Sequence, residues 1–69
     1  MVNLYDFLEC LEEGTMVHIK DTYNKDSAII TEGYADSNEI WDDLLDSGFG
    51  PDSEVFRIYL HGDHLDIII

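Results

Sequence analysis

The excess of acid constrains this chain more than any other feature of its sequence. Sixteen Asp and Glu residues stand against three Lys and Arg residues in 69 positions, which gives a formal charge of −13 at pH 7. A disordered acidic tail would combine such a charge with few apolar residues, but 45% of this chain is hydrophobic and 12% is aromatic. We therefore expect one folded acidic domain over residues 1–69.

The length of the chain limits the activity that it can support. A domain of this size buries only about 60% of the surface that its unfolded chain exposes, so a deep substrate cleft is not expected. The sequence contains no Gly-rich phosphate loop and no nucleophile elbow. We therefore predict a protein that is not an enzyme and that needs no cofactor.

The N-terminus and the single cysteine indicate the compartment. Cys10 has no second cysteine with which to form an internal disulfide. The acidic N-terminus lacks the features of a signal peptide, and no apolar run approaches the roughly 18 residues of a membrane span. We expect a cytoplasmic protein without a membrane partner.

The spacing of apolar residues predicts a helix, a hairpin, a second helix and a second hairpin. Leu4 begins a helical apolar pattern after Asn3, a suitable N-cap. A second such pattern lies between a cap at Asp36 or Ser37 and a stop at Gly48. The first helix is expected over residues 3–13, and the four strands over residues 15–21, 27–34, 54–61 and 64–69.

The last two strands are joined by residues 62–63, which are typical of a two-residue turn of the primed type. That turn predicts the register of the hairpin. Leu60 should lie opposite Leu65, and Ile58 opposite Ile67, so that these side chains share one face of the sheet.

The simplest fold with this order is α+β, in which a small four-stranded antiparallel sheet packs against two amphipathic helices. An SH3-like curled sheet is the alternative. The hydrophobic strand 64–69 could lie at a sheet edge, where a second copy of the chain could pair with it and form a homodimer. Equally, a neighbouring strand or the first helix could cover it.

Both predicted helices concentrate acid on the face opposite their apolar residues. Like charges at this spacing destabilise a helix by roughly 0.2–0.5 kcal/mol per pair, and neither face contains a Lys or Arg. The faces could simply be solvated, or they could bind a partner. The predicted partner-binding carboxylates are Glu39, Asp42, Asp43 and Asp46 on the second helix, and Asp6, Glu9 and Glu13 on the first.

Two aromatic residues, Tyr23 and Phe49, fall in predicted loops and are candidate interface anchors, unless they cover the edge of the core. Two histidines, His61 and His64, flank the second hairpin turn, and a metal site there is geometrically conceivable. Histidines at a hairpin end more often contact solvent, so we predict no metal site. His18 is interpreted as a surface residue without a partner.

The whole chain, with its opening Leu4-Tyr5-Asp6-Phe7-Leu8 helix, its hairpin and its closing strand pair, resembles the small acidic proteins of phages and other bacterial mobile elements. In charge and size it is similar to the anti-CRISPR and anti-restriction inhibitors that mimic DNA. No family motif is matched, so no functional residue is carried over. The resemblance implies stoichiometric inhibition of a nucleic-acid-binding effector, such as a Cas nuclease or a restriction-type enzyme.

The physical basis of such an inhibitor would be the imitation of phosphates. Carboxylates a few ångströms apart can occupy a basic groove whose affinity comes mostly from the nucleic-acid backbone. The leading hypothesis is therefore a non-enzymatic inhibitor that binds the basic surface of a DNA- or RNA-guided enzyme and does not bind nucleic acid itself. The alternative is a protein–protein interaction or regulatory module, which could be homodimeric and uses its acidity only for solubility.

Overall fold

A computed structural model of the chain describes residues 2–22 and 29–69. Four strands form one sheet in the order β2-β1-β4-β3. The elements are, in chain order, α1 (Leu4–Glu9), β1 (Met16–Lys20), β2 (Ile29–Tyr34), α2 (Glu39–Asp46), β3 (Arg57–Leu60) and β4 (Leu65–Ile68). The prediction of a four-stranded sheet with two helices, in this order along the chain, is confirmed. Within the described residues, neither helix is long and apolar enough to cross a membrane.

The sheet is mixed, and the prediction of an antiparallel sheet is wrong in this respect. Each hairpin is antiparallel, but β1 and β4 run parallel, with Val17 opposite Leu65 and Ile19 opposite Ile67. Turn chemistry specifies the pairing inside a hairpin, but it does not specify how two hairpins meet. Parallel neighbours need a long connection that usually contains a helix, and α2 lies in the segment between β1 and β4.

The C-terminal strand does not lie at an edge of the sheet, so the prediction that it could pair there with a second copy is wrong. β4 lies between β1 and β3, and its Ile67 is fully buried. An apolar strand buries more surface in the interior of a sheet than at its edge. The edges formed by the described strands are β2 and β3.

The predicted register of the second hairpin is confirmed: Leu60 lies opposite Leu65 and Ile58 opposite Ile67. The amide of His61 donates a hydrogen bond to the carbonyl of His64 at 3.0 Å, which closes the two-residue turn. The predicted type of this turn is wrong, because a primed turn requires a positive φ at its first central residue and Gly62 does not have one.

The core lies between both helices and one face of the sheet. Its fully buried residues are Leu4, Val17, Ile19, Ile40, Leu44 and Ile67. Burial of one such side chain contributes about 1.5–3 kcal/mol to folding. On α2 only the narrow stripe through Ile40 and Leu44 is buried, and the neighbouring Leu45 is 62% exposed.

Helix α1 begins as predicted and ends early. The Asn3 side chain accepts a hydrogen bond from an amide of the first turn at 2.8 Å, which confirms the N-cap. The helix ends at Glu9, before Glu12 and Glu13. The C-terminal end of a helix carries partial negative charge, so further carboxylates there destabilise it. The chain turns instead, and Thr15 donates from its amide and its hydroxyl to the Glu12 carbonyl.

Helix α2 ends at the predicted residue. Gly48 adopts a φ of +88°, and its amide donates to the carbonyl of Leu45 at 3.1 Å. The amide of Phe49 donates to the carbonyl of Leu44 at 2.8 Å. These two bonds form a Schellman motif, which brings the half-buried Phe49 against the core.

Candidate functional site

The two helices approach each other through one pair of aromatic residues. The rings of Tyr5 on α1 and Trp41 on α2 have centroids 6.1 Å apart. An open depression of about 280 Å³ is lined in part by Glu9 of α1, by Glu13 in the turn that follows α1, and by Asp36 in the turn that precedes α2. We call the outer surface of α1, α2 and the turns that follow α1 and precede α2 the helical layer.

The four predicted carboxylates of α2 are all exposed. Asp43 accepts a hydrogen bond from the Thr31 hydroxyl at 2.8 Å, which ties the helix to β2. The other three, Glu39, Asp42 and Asp46, form no ion pair with any described residue. The structure therefore places the four carboxylates on one exposed helix, and their role in binding a partner stays a prediction.

The predicted acidic face of the first helix is only partly helical. Asp6 and Glu9 are exposed on α1, but Glu13 lies in the turn beyond the end of the helix. The early end of α1 accounts for this difference. Phe49 packs against the core, and Tyr23 lies outside the described residues, so the partner-binding roles of both aromatics stay predictions.

Neither of the described basic residues, Lys20 and Arg57, belongs to α1 or α2. Lys20, on β1, donates to a carboxylate oxygen of Asp66 at 3.0 Å. Arg57 begins the edge strand β3 and is exposed. Consequently, neither of these cations neutralises the carboxylates of α1 or α2.

A second concentration of functional groups lies on the sheet face opposite the core. We call it the histidine–aspartate cluster, and it consists of His18, His61, His64 and Asp66. Because side chains alternate along a strand, His18 and Asp66 point away from the core while their neighbours in sequence point into it. The parallel pairing of β1 with β4 sets His18 directly opposite Asp66.

Asp66 lies at the centre of the cluster, and its side chain is only 10% exposed. One carboxylate oxygen, Oδ2, lies 3.0 Å from Lys20 Nζ and 3.0 Å from His61 Nε2. The other oxygen, Oδ1, lies 3.1 Å from His64 Nε2 and 3.8 Å from His18 Nδ1. Neither of these two contacts has hydrogen-bond geometry, and Oδ1 is buried without a donor among the described residues.

The three imidazole rings form a stack. His18 and His64 have ring centroids 3.9 Å apart, and His61 and His64 have centroids 4.5 Å apart. The interplanar angles are 18° and 13° respectively. The stack covers Asp66, which explains how a carboxylate on the open face of the sheet becomes buried.

Two further carboxylates contact the outer ring nitrogens of the stack. His64 Nδ1 lies 2.7 Å from Asp63 Oδ1, and His18 Nε2 lies 3.3 Å from Glu32 Oε2. Each of these two histidines therefore faces Asp66 Oδ1 with one ring nitrogen and an exposed carboxylate with the other. Beside them is an open depression of about 450 Å³ lined by His18, Glu32, Asp63 and His64.

The cluster shifts the acidity of two carboxyl groups. Burial alone raises the pKa of Asp66, but hydrogen bonds from Lys20 and His61 outweigh it and hold that pKa below its ordinary value. The pKa of Asp63 is lowered by its hydrogen bond with His64. Both groups are thus held in the ionised form.

The sequence indicated half of this cluster. It predicted that His61 and His64 face each other with Asp66 on the same side, which the ring stack and the contacts confirm. The interpretation of His18 as a residue without a partner is wrong, because His18 stacks on His64. Its place depends on the parallel pairing of β1 and β4, for which the chain carries no local signal.

Comparison of the chain with protein-family models, with curated proteins and with solved structures found no match. The helical layer and the histidine–aspartate cluster are therefore interpreted from their own chemistry. The helical layer offers exposed negative charge that forms no ion pair with Lys20 or Arg57, the two described basic residues. In the histidine–aspartate cluster, ring nitrogens of His18 and His64 face one buried carboxylate oxygen, Asp66 Oδ1.

Proposed function

We propose that the protein is a non-enzymatic acidic inhibitor that binds the basic nucleic-acid-binding surface of a DNA- or RNA-guided enzyme, such as a Cas nuclease or a restriction-type enzyme. The observation that carries this proposal is the exposed row of carboxylates on α2, of which Glu39, Asp42 and Asp46 have no ion pair with a described residue. The described cations lie elsewhere. The row is therefore open to the arginines and lysines of a partner.

The spacing of this row supports imitation of a phosphate backbone. An α-helix rises 1.5 Å per residue, so the four carboxylates between Glu39 and Asp46 are spread over about 10.5 Å of helix axis, roughly one charge per 3.5 Å. One strand of B-DNA carries one negative charge per about 3.4 Å of axis. A groove built for a DNA strand would meet a similar charge density along α2.

The bond between Thr31 and Asp43 supports the same function in another way. It joins one member of the row to β2 and so fixes the orientation of the helix on the sheet. Ile40 and Leu44 anchor the same helix in the core. Charges held in fixed positions bind a complementary surface at a lower entropic cost than charges on a flexible tail.

The test compares two double charge reversals of equal size. In the first, Asp42→Lys and Asp46→Lys reverse two exposed charges of α2; in the second, Asp52→Lys and Asp63→Lys reverse two exposed charges elsewhere. A partner captured from a bacterial lysate at low salt is purified, and its affinity for each variant is measured by calorimetry.

We expect the α2 reversal to weaken binding at least 100-fold and the control reversal to weaken it less than fivefold, because only the former removes charges from the row. Equal losses in the two variants would show that overall charge, rather than the helical layer, drives association. An unchanged affinity after the α2 reversal would eliminate this surface as the binding site.

A second candidate function, a homodimeric interaction module, is favoured by the edge strand β3. Its side chains are exposed on both faces of the sheet, and Leu60 is 82% exposed. The strand contains no acidic residue and carries Arg57. A second copy can therefore approach this edge without meeting a carboxylate of β3 and pair with it strand to strand.

Sedimentation at two ionic strengths separates the two functions. A β3-paired homodimer keeps its association constant within a fewfold when salt is raised, because apolar contacts and backbone hydrogen bonds hold it. Replacing Leu60 with lysine abolishes it. A monomer at both ionic strengths, at concentrations up to about 100 μM, would remove this second candidate.

A further inference from the structure

We propose that the histidine–aspartate cluster binds one divalent transition-metal ion of the zinc class through His18 Nδ1, His64 Nε2 and Asp66 Oδ1. The three donor atoms all lie within 4.8 Å of one another. The proposal is independent of the acidic row on α2, which lies on the other side of the sheet.

The donor set selects the class of ion. Two imidazole nitrogens and one carboxylate oxygen suit Zn²⁺ and its transition-metal neighbours, whereas Ca²⁺ and Mg²⁺ are bound by oxygen alone. Two protein histidines with one carboxylate also form the ligand set of zinc sites that keep a fourth position open. Here the open depression lined by His18 and His64 leaves room for a water molecule at that position.

A buried oxygen without a hydrogen-bond donor is the second observation that points to an ion. Asp66 Oδ1 is enclosed by the imidazole rings and receives no hydrogen bond from the described residues. A buried charged oxygen left in this way costs free energy that a ligand could recover. Lys20 and His61 occupy Oδ2, so Oδ1 is the oxygen available to a cation.

The outer ring nitrogens complete the arrangement. A metal-binding histidine usually donates its other N–H to a carboxylate, which fixes the tautomer and increases the basicity of the ligating nitrogen. His64 Nδ1 contacts Asp63, and His18 Nε2 contacts Glu32. In that tautomer, each histidine directs a lone pair from the nitrogen that faces Asp66 Oδ1.

Binding requires one change in the stack. A metal ion lies close to the plane of each imidazole that binds it, and the rings of His18 and His64 are nearly parallel at 3.9 Å. At least one ring must therefore rotate out of the stack. The carboxylate partners are exposed, Glu32 by 62% and Asp63 by 91% of their side chains, so they can follow that rotation.

The test titrates the metal-free full chain with ZnCl₂ by calorimetry and with CoCl₂ by absorption spectroscopy, with CaCl₂ as the hard-cation control. We expect one Zn²⁺ per chain, Co²⁺ absorption bands of a four-coordinate site, and no competition by a tenfold excess of Ca²⁺. His18→Gln and Asp66→Asn should each weaken Zn²⁺ binding at least tenfold. Glu32→Gln, which alters only an outer contact, should weaken it by about tenfold.

A control variant separates this site from general attraction to acid. The double change Asp42→Asn and Asp46→Asn removes charge from α2 and should keep the wild-type affinity for Zn²⁺. His18 is half-buried at the surface, so its variant is expected to fold even if the Asp66 variant does not. The proposal is overturned if Zn²⁺ fails to bind, if Ca²⁺ displaces it, or if folded His18→Gln binds as tightly as the wild type.

Discussion

The helical layer and the histidine–aspartate cluster use the same chemical group in opposite settings. On α2, Asp42 and Asp46 are exposed carboxylates without an ion pair among the described residues. On the opposite side of the sheet, Asp66 is a buried carboxylate surrounded by Lys20 and imidazole rings. The buried carboxylate thus holds its neighbours in place, whereas these two exposed carboxylates contact no described cation.

The exposed carboxylates of α2 and the buried Asp66 contribute differently to the fold. An exposed acid beside other acids slightly destabilises its helix, and the binding of a basic partner that we propose would account for its presence. A buried acid that accepts a hydrogen bond from Lys20 is part of the fold, since its removal leaves that cation without a partner. Substitutions of the buried and of the exposed carboxylates should therefore change the free energy of unfolding in opposite directions and by different amounts.

The largest expected effect is the loss of the central carboxylate. Asp66→Ala should lower the free energy of unfolding by about 3 kcal/mol, because it removes the acceptor of Lys20 and opens a gap under the imidazole stack. Asp42→Ala, the matched change on the helical layer, should alter it by less than about 0.5 kcal/mol. Urea denaturation followed by circular dichroism measures both free energies of unfolding. Equal losses in the two variants would show that the buried and the exposed carboxylate contribute equally to the fold.

Zinc binding should stabilise the folded chain through the histidine–aspartate cluster. At a free concentration about 100 times its dissociation constant, a ligand that binds only the folded state stabilises it by about 2.7 kcal/mol. For a domain of this size, that raises Tm by roughly 10–20 °C. We expect the shift in the wild type and not in His64→Gln, as measured by thermal unfolding; an equal shift in that variant would place the ion elsewhere.

A single substitution on the helical layer should stabilise the fold while it weakens function. Asp46→Lys places a cation at the C-terminal end of α2, four residues after Asp42, where both the helix dipole and the side-chain pair favour it. We expect a gain of about 0.5–1 kcal/mol in the free energy of unfolding, together with weaker binding to the partner. A stabilised variant that retains full affinity would show that this carboxylate is only solvated surface.

The smallest expected effect concerns salt and the free protein. Raising NaCl from about 0.01 to 0.15 M shortens the Debye length from about 30 to 8 Å, which screens the repulsion among the exposed carboxylates. The wild type should gain a few tenths of a kcal/mol in stability, and the Asp42→Asn and Asp46→Asn double variant should gain less. Identical salt responses would indicate that these charges do not interact in the folded chain.

Local pattern predicted several of the features that local chemistry determines. The N-cap at Asn3, the end of α2 at Gly48 and the register of Ile58 against Ile67 each depend on residues within a few positions, and each is confirmed. The early end of α1 at Glu9 also has a local cause, the carboxylates that follow it. The prediction from apolar periodicity did not include that electrostatic cost.

The parts that the sequence did not predict depend on how distant segments meet. The parallel pairing of β1 with β4 joins residues more than 40 positions apart, and no turn specifies it. That pairing makes β4 an interior strand and sets His18 against Asp66. The cluster could therefore be predicted at His61 and His64, which one turn joins, but not at His18.

The proposed inhibition requires that the carboxylates of α2 bind a basic surface in place of phosphates. The most direct measurement is the partner's dissociation constant over a series of salt concentrations, for the wild type and for the Asp42→Lys and Asp46→Lys variant. If α2 replaces phosphates, the wild type should show a steep linear fall of log affinity with log salt. The variant should show a shallower slope as well as weaker binding. A nearly flat wild-type slope, or the same slope in both proteins, would contradict the claim.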